Sequence, residues 1–336
     1  ARATGRPHPR YRRHYRNVMQ KNKLYNCDFL ANDLPDGCAD LIIADPPYFE
    51  VKGDFDYIWP SFNDYLEDVK KWAVECKRLL ADNGTLLWYG DDKRIAYAQV
   101  IFDEHLNLLN SLVWNKGENF MGLNHSEDLR SFAPCTERLL MYSKDSLNLT
   151  SCIFHIRDYI REEVIKAKGR ISLKEINTAL GTATNGGGVA SACLSLDKGE
   201  PAMITEEMYN KLQKYAAPYL RKEYEELRKE YEELRKEYEE LRRPFNNLHK
   251  LSEVLNFRNE ANKNTQYKHP TRKPETLTRA LIETTTKKGA TIIVPFAGSG
   301  TECAVALKEN RSFIGYEIDK EHYSTAIKRI QHAKEQ

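Results

Sequence analysis

Two consecutive prolines close an apolar run early in this chain: Leu41-Ile42-Ile43-Ala44 is followed directly by Asp45-Pro46-Pro47-Tyr48-Phe49. The run reads as a buried strand. Proline fixes φ and has no N–H, so the strand cannot continue through Pro46 and Pro47. Asp45 and Tyr48 therefore stand at its carboxyl end, the edge at which open α/β sheets bind ligands. A second strand-like run, Thr291-Ile292-Ile293-Val294, ends in Pro295-Phe296-Ala297-Gly298-Ser299-Gly300-Thr301 and leads into a helix-like segment, Glu302 to Leu307. A Gly-x-Gly between strand and helix lets backbone approach a ligand at a helix N-terminus. One stretch reads as the holder of a flat, amino-bearing base, the other as the holder of the cofactor that modifies it.

The segments around these runs alternate. Strands are expected at 24–30, 85–89, 111–114, 138–142 and 312–317. Helices are expected at 61–80, with Ser61 or Asn63 as cap and Asn83-Gly84 as stop, at 92–105 and from Pro274 to Thr285. Strands alternating with helices predict an α/β fold with a doubly wound, mostly parallel sheet. The alternation breaks after Lys144. Segment 157–180 is basic and helical, with Ser172 and Glu175 spaced as a capping box. Asn185-Gly186-Gly187-Gly188 and a short helix at 189–194 follow. That order suits a helix-turn-helix reading the major groove or an ordinary helical hairpin.

Between 220 and 243 the unit Glu-Tyr-Glu-Glu-Leu-Arg-Lys recurs with a seven-residue period. It places Tyr224, Tyr231 and Tyr238 at one seam position and Leu220, Leu227, Leu234 and Leu241 at the other. Two readings stand: a short coiled coil pairing within the protein or in a homodimer, and a solvated single helix. The expected organisation is a basic arm over 1–23, a first α/β part over 24–144, a helical insertion over 145–265, and a second α/β part over 266–336.

No apolar run approaches the roughly 20 residues that span a bilayer, and no signal peptide is evident. Seven cysteines without a Cys-x-x-Cys pair argue for reduced thiols in a cytoplasmic protein rather than a disulfide framework or a metal site. Net charge is only +2, yet residues 1–27 hold eight Arg and Lys and no acid, which leaves −6 for the remainder. Such an arm can touch phosphates or be a disordered tail.

Asp45 and the Pro46 carbonyl can both accept from one exocyclic amino group. An aromatic amine is a poor nucleophile because its lone pair is delocalised into the ring. Two acceptors draw the nitrogen towards tetrahedral geometry and stabilise the charge that develops on it. Tyr48 offers a face on which a base can stack. The other reading of the tetrapeptide is a proline-rich turn. For the glycine loop, Glu317 lies where dinucleotide folds place a ribose partner, about 20 residues on. Cys303 stands where a third glycine would be, which favours a cofactor without a pyrophosphate.

Asp-Pro-Pro-Tyr together with Phe-x-Gly-x-Gly resembles the S-adenosylmethionine-dependent amino-methyltransferases that act on bases in DNA. The tetrapeptide comes first, an insertion next and the glycine loop last, an order similar to the circularly permuted β group. The resemblance covers roughly 24–144 and 265–332 and includes Trp114-Asn115-Lys116, Thr136-Glu137 and His269 to Pro274. It implies a Rossmann-like fold and S-adenosylmethionine bound by Phe296, Gly298 and Gly300, with Ser299 and Thr301 close by. Glu317 would take the ribose hydroxyls and Asp28 the cofactor's adenine, while Lys273 and Pro274 would contact its amino-acid or ribose portion.

Asp45, Pro46 and Tyr48 would hold the target base. Asp45 would also border the cofactor. The Asp-initial tetrapeptide is similar to adenine-N6 enzymes more than to cytosine-N4 ones. The partner implied is double-stranded DNA whose adenine is flipped out of the stack, with sequence reading in the insertion and no metal or membrane involved. Thr136-Glu137 departs from the His-Glu often found there, so that pair is assigned no role. The competing readings are cytosine-N4 or RNA-adenine methylation, and a catalytically silent DNA-binding scaffold.

Overall fold

The computed structural model describes residues 20–51, 54–117, 132, 134–144, 150–185, 187–197, 201–259, 267 and 272–335. The basic arm up to residue 19, His269 and the side chains of Tyr231, Leu234 and Tyr238 lie outside what is described. The strands are β1 (Lys23–Tyr25), β2 (Ala39–Ala44), β3 (Leu80–Gly90), β4 (Asn107–Asn115), β5 (Thr136–Ser143), β6 (Val254–Asn256), β7 (Thr291–Val294) and β8 (Ser312–Tyr316). The helices are α1 (Phe62–Leu79), α2 (Ile95–Asp103), α3 (Thr150–Lys168), α4 (Leu173–Leu180), α5 (Val189–Leu194), α6 (Glu206–Tyr215), α7 (Tyr224–Leu241), α8 (Glu275–Thr285), α9 (Thr301–Lys308) and α10 (Lys320–Glu335). None of the described helices is long and apolar enough to cross a membrane.

Two compact units result, one made of the residues up to 145 and from 243 onward, the other of 146–242. The first is an eight-stranded sheet in the order β1-β8-β7-β2-β3-β5-β4-β6. Its pairs are parallel except those of β5, which runs antiparallel to both β3 and β4. The fold is therefore α/β and mostly parallel, as expected. The reversal at β5 has a plain origin: no helical pattern separates β4 from β5, and antiparallel neighbours need no crossover helix. Residues 254–256, placed in the insertion on sequence grounds, form β6 and pair with β4.

Alternation along the strands sorts side chains to two cores. Ile42, Ala44, Leu86, Trp88, Leu140 and Tyr142 meet Val69, Trp72 and Cys76 of α1 and Phe102 of α2. Leu41, Ile43, Leu87, Tyr89, Leu139 and Met141 meet Leu281 of α8, Val305 of α9 and Ile330 of α10. Ser61 caps α1 by accepting from the Asp64 amide at 3.3 Å. The helix stops at Leu79 rather than at Asn83-Gly84, which lies inside β3. Pairing of Leu80 with Ala39 takes over from the helix there. A Cβ on Gly84 would come 2.8 Å from the Ala39 carbonyl oxygen, so the glycine marks close backbone approach, not a helix stop.

In the second unit, α3 to α7 enclose a core of Ile156, Ile160, Val164, Ile176, Leu180, Tyr209, Leu212, Leu220 and Leu227. The Ser172 hydroxyl caps α4 at the Glu175 amide. The Glu175 carboxylate pairs with Arg170 instead of closing the box. Asn177, 1% exposed, ties α4 to α5 by accepting from the Ala190 amide at 2.8 Å. Val189–Leu194 buries Ala190, Ser191, Cys193 and Leu194, so α5 offers a DNA groove no long polar side chain. At the heptads, Leu220 and Leu227 fill this core, the Tyr224 hydroxyl donates to the Ile204 carbonyl at 3.0 Å, and Leu241 is exposed. The first seam positions are thus occupied within the chain.

Two substitutions test this packing. Leu227→Ala leaves a cavity in a fully buried position, and its expected cost is about 2–5 kcal/mol by urea denaturation of the full chain. Gly300 sits at φ +76°, and a Cβ there would lie 2.9 Å from Ala326 Cβ on α10. Gly300→Val is expected to cost about 1–2 kcal/mol for the left-handed backbone and about 1–3 kcal/mol for overpacking, read as a lower Tm.

Candidate functional site

Parallel pairing puts four chain segments side by side at one edge of the sheet. In the order β1-β8-β7-β2, the carboxyl ends lead into the Asp28 loop, Glu317, the glycine loop and Asp45. The registers Tyr25↔Tyr316, Val294↔Gly315 and Ile42↔Ile293 hold those ends level. The antiparallel strand β5 brings its start, Thr136-Glu137, to the same edge, next to Trp114 and Asn115 at the end of β4.

Asp45 is anchored at both oxygens. Oδ1 accepts from the Tyr48 hydroxyl at 2.8 Å, and Oδ2 accepts from Lys273 Nζ at 2.7 Å. Lys273, whose side chain is 1% exposed, also lies 3.2 Å from Glu137 Oε2, and Glu137 Oε1 pairs with Lys116 Nζ at 2.5 Å. The Lys273 ammonium stands 4.8 Å from the centre of the Tyr89 ring and 5.7 Å from that of Tyr48. Burial pushes the Asp45 carboxyl above the usual carboxylate range, against the pull of Lys273. Burial works against charge on Lys273 too, but Asp45 and Glu137 more than offset it and hold the ammonium above its ordinary pKa. Burial likewise opposes ionisation of Glu137, yet Lys273 and Lys116 keep it below its ordinary value. The turn that follows Asp45 is fixed from the other side by Asp56, 1% exposed, whose carboxylate accepts from the Tyr48 amide at 2.6 Å.

The glycine loop is held by Glu317 and Arg329. Glu317 Oε2 accepts from the Gly298 amide at 2.7 Å and Oε1 from the Asp319 amide at 2.8 Å. Burial raises its carboxyl above the ordinary range, opposed by those two amides. The buried Arg329 of α10 donates to the Thr301 hydroxyl at 2.6 Å, to the Ser299 hydroxyl at 3.2 Å and to Glu275 at 2.7 Å. Asp28 caps the turn at 29–31 by accepting from the Leu30 amide at 2.9 Å. Glu302, 5% exposed, is pushed up to about 7 by burial and by the nearby charge of Asp45.

These groups line one cavity of about 970 Å³, a volume typical of small-molecule and cofactor sites. Among the residues expected from the sequence, Asp28, Asp45, Pro46, Tyr48, Lys273, Phe296, Gly298, Ser299, Thr301 and Glu317 lie on its wall. Gly300 and Pro274 are not among its lining residues. Gly300 faces Ala326, and Pro274 is the N-cap of α8. Residues that sequence reasoning misses are Trp72, whose ring meets Phe296 edge-on at 5.0 Å, and Trp59, Glu302 and His322 on the wall. Trp72 is legible in the sequence only as a core position of α1. Asp56 and Arg329 carry no local signal.

The DNA methylase family model, that of the N6/N4 methyltransferases, matches residues 39–328. Methyltransferase M2.LlaDCHI of Lactococcus lactis subsp. cremoris is 32% identical over 308 residues, which cover 87% of this chain and 81% of the relative. M2.DpnII of Streptococcus pneumoniae is 25% identical over 90% of this chain and 86% of the relative. DNA adenine methyltransferase YhdJ of Escherichia coli K12 is 23% identical over 88% and 78%. Among solved structures, a DNA modification methylase of Thermus thermophilus superposes with a TM-score of 0.51 at 16% identity, covering 93% of this chain and 95% of that one. The cytosine-N4-specific PvuII DNA methyltransferase does so with 0.51 at 12%, covering 94% and 91%. The two superpositions speak for the fold, and the family match over most of the length decides membership: the chain belongs to the N6/N4 DNA methylase family.

Proposed function

We propose that this enzyme transfers a methyl group from S-adenosylmethionine to the N6 amino group of an adenine flipped out of double-stranded DNA. The observation that carries the reading is Asp45, an anchored carboxylate on the wall of the same cavity as Glu317 and the glycine loop. S-adenosylmethionine supplies, when bound, a methyl group on a positively charged sulfur. The residues present suit that group: Glu317 and Asp28 offer carboxylates for hydroxyl and amino groups, and Phe296 and Trp72 offer aromatic surface.

Asp45 and the Pro46 carbonyl act as the acceptors of the amino group, raise its nucleophilicity and stabilise the positive charge that forms on nitrogen. Tyr48 holds Asp45 by its hydroxyl and borders the base. The transfer is an in-line displacement, so most of the rate comes from holding two reactants in line rather than from covalent chemistry by the protein. The unit at 146–242 is assigned to target reading, since the α/β unit uses its sheet edge for chemistry. An Asp-initial tetrapeptide and the kinship to an adenine methyltransferase favour adenine over cytosine.

The decisive experiment incubates the protein with methyl-labelled S-adenosylmethionine and DNA of mixed sequence, then separates the nucleosides by mass. N6-methyldeoxyadenosine is the expected product, and N4-methyldeoxycytidine would overturn the choice of base. Asp45→Ala is expected to lower kcat by about 10²-fold or more, the scale for removing one group that stabilises transition-state charge. Its binding of labelled cofactor should stay measurable. Undiminished turnover in that variant would remove Asp45 from the chemistry.

A further inference from the structure

Sequence reasoning expects Lys273 at the cofactor's amino-acid or ribose portion and gives Glu137 no role. Their positions differ from both expectations. Lys116, Glu137, Lys273 and Asp45 form a row of alternating sign, with separations of 2.5, 3.2 and 2.7 Å. Their side chains are 11%, 17%, 1% and 19% exposed in that order.

From this geometry, and resting on the reading of Asp45 as acceptor of the amino group, we propose that Lys273 is a positioning residue. Steadied by Glu137 and Lys116, it keeps Asp45 an ionised, aimed acceptor. A carboxylate has about four acceptor sites. Tyr48 occupies one on Oδ1 and Lys273 one on Oδ2, which leaves sites on both oxygens for an amino group. A protonated Asp45 would instead present an O–H donor on one oxygen, and that oxygen could not draw on an N–H. Burial favours the protonated form, so an adjacent cation is needed. The Lys273 ammonium is held by Asp45, by Glu137 and over the faces of Tyr89 and Tyr48. Glu137 alone would set a second negative charge against Asp45. Lys116 neutralises it, and is itself held 5.1 Å from the centre of the Trp114 ring.

The charged and titratable groups facing Asp45 are Lys273, Glu137 on β5, Tyr48 on its own segment, Tyr89 on β3 and Glu302 on α9. Of these only Lys273 is a cation. Its removal moves ionisation of Asp45 to higher pH. Transfer requires the ionised form and is lost as pH falls through that midpoint. The acid limb of kcat therefore moves upward in pH.

The test compares the unaltered full chain with Lys273→Met, Lys273→Arg and Lys116→Met by two readouts. One is the pH profile of methyl transfer. The other, independent of activity, is the ¹³C NMR titration of aspartate carboxyls, with Asp45 assigned by Asp45→Asn. Lys273→Met should raise both midpoints by roughly one to three pH units, the effect of an opposite charge at this range. Lys116→Met should raise them less, and Lys273→Arg should largely restore them. Lower activity with unmoved midpoints would overturn the proposal and leave Lys273 a packing residue. Should Lys273→Met fail to fold, an unmoved midpoint in Lys116→Met would overturn it equally. A cytosine product from the unaltered protein would instead overturn the adenine reading, while the titration would still decide the role of Lys273.

Discussion

The parallel pairing of β2 with β7 is the constraint on which the site depends. Leu41 lies opposite Ile292 and Ile42 opposite Ile293. Residues separated by about 250 positions in the chain thereby deliver their carboxyl ends side by side. Closing so long a loop costs little more than closing a shorter one, because closure entropy grows only logarithmically with length. A separate helical unit at 146–242 can therefore stand between the two motifs without loosening them. Hydrophobic burial on both faces of these strands fixes the register, since a slip by one residue would exchange the two cores.

The reversal at β5 follows from the same edge. A parallel strand presents only its carboxyl end there, whereas an antiparallel one presents its start. That is how Glu137 comes within reach of Lys273. Burying four charged groups is costly, and a buried ion pair is seldom retained for stability alone. Alternation of sign along Lys116, Glu137, Lys273 and Asp45 limits that cost, and the row ends on the residue assigned to the chemistry. Tyr48 and Asp56 add to the constraint on Asp45, the first through its hydroxyl and the second through the backbone of Tyr48.

Much of this is legible in the sequence. The apolar runs at 41–44 and 291–294, each closed by proline, mark both strands and their functional ends. Seven-residue periodicity marks α7, and Ser61 marks the start of α1. Less legible are features set by partners far away in the chain. β6 is three residues long and exists because β4 offers it an open edge. The direction of β5 depends on its neighbours. Asn83-Gly84 looks like a helix stop because local chemistry cannot report that Ala39 passes 2.8 Å from a Cβ at Gly84. The place of Lys273 escapes the sequence for a similar reason: only the fold shows that its ammonium meets Asp45.

The glycine loop shows how a motif can be right in place and different in cause. Its second glycine reads in the sequence as making room for a ligand, yet Gly300 makes room for Ala326 and starts α9 from a left-handed backbone. The hydroxyls of Ser299 and Thr301 hydrogen-bond to the buried guanidinium of Arg329, which also grips Glu275 on α8. Glu317 meanwhile holds the Gly298 amide. The loop is thus clamped from α8, α10 and the end of β8. A loop clamped in this way loses little freedom on binding, so the strand-to-helix turn meets its ligand as a preformed wall. The same rigidity keeps that wall level with Asp45, which an in-line transfer between two bound reactants requires.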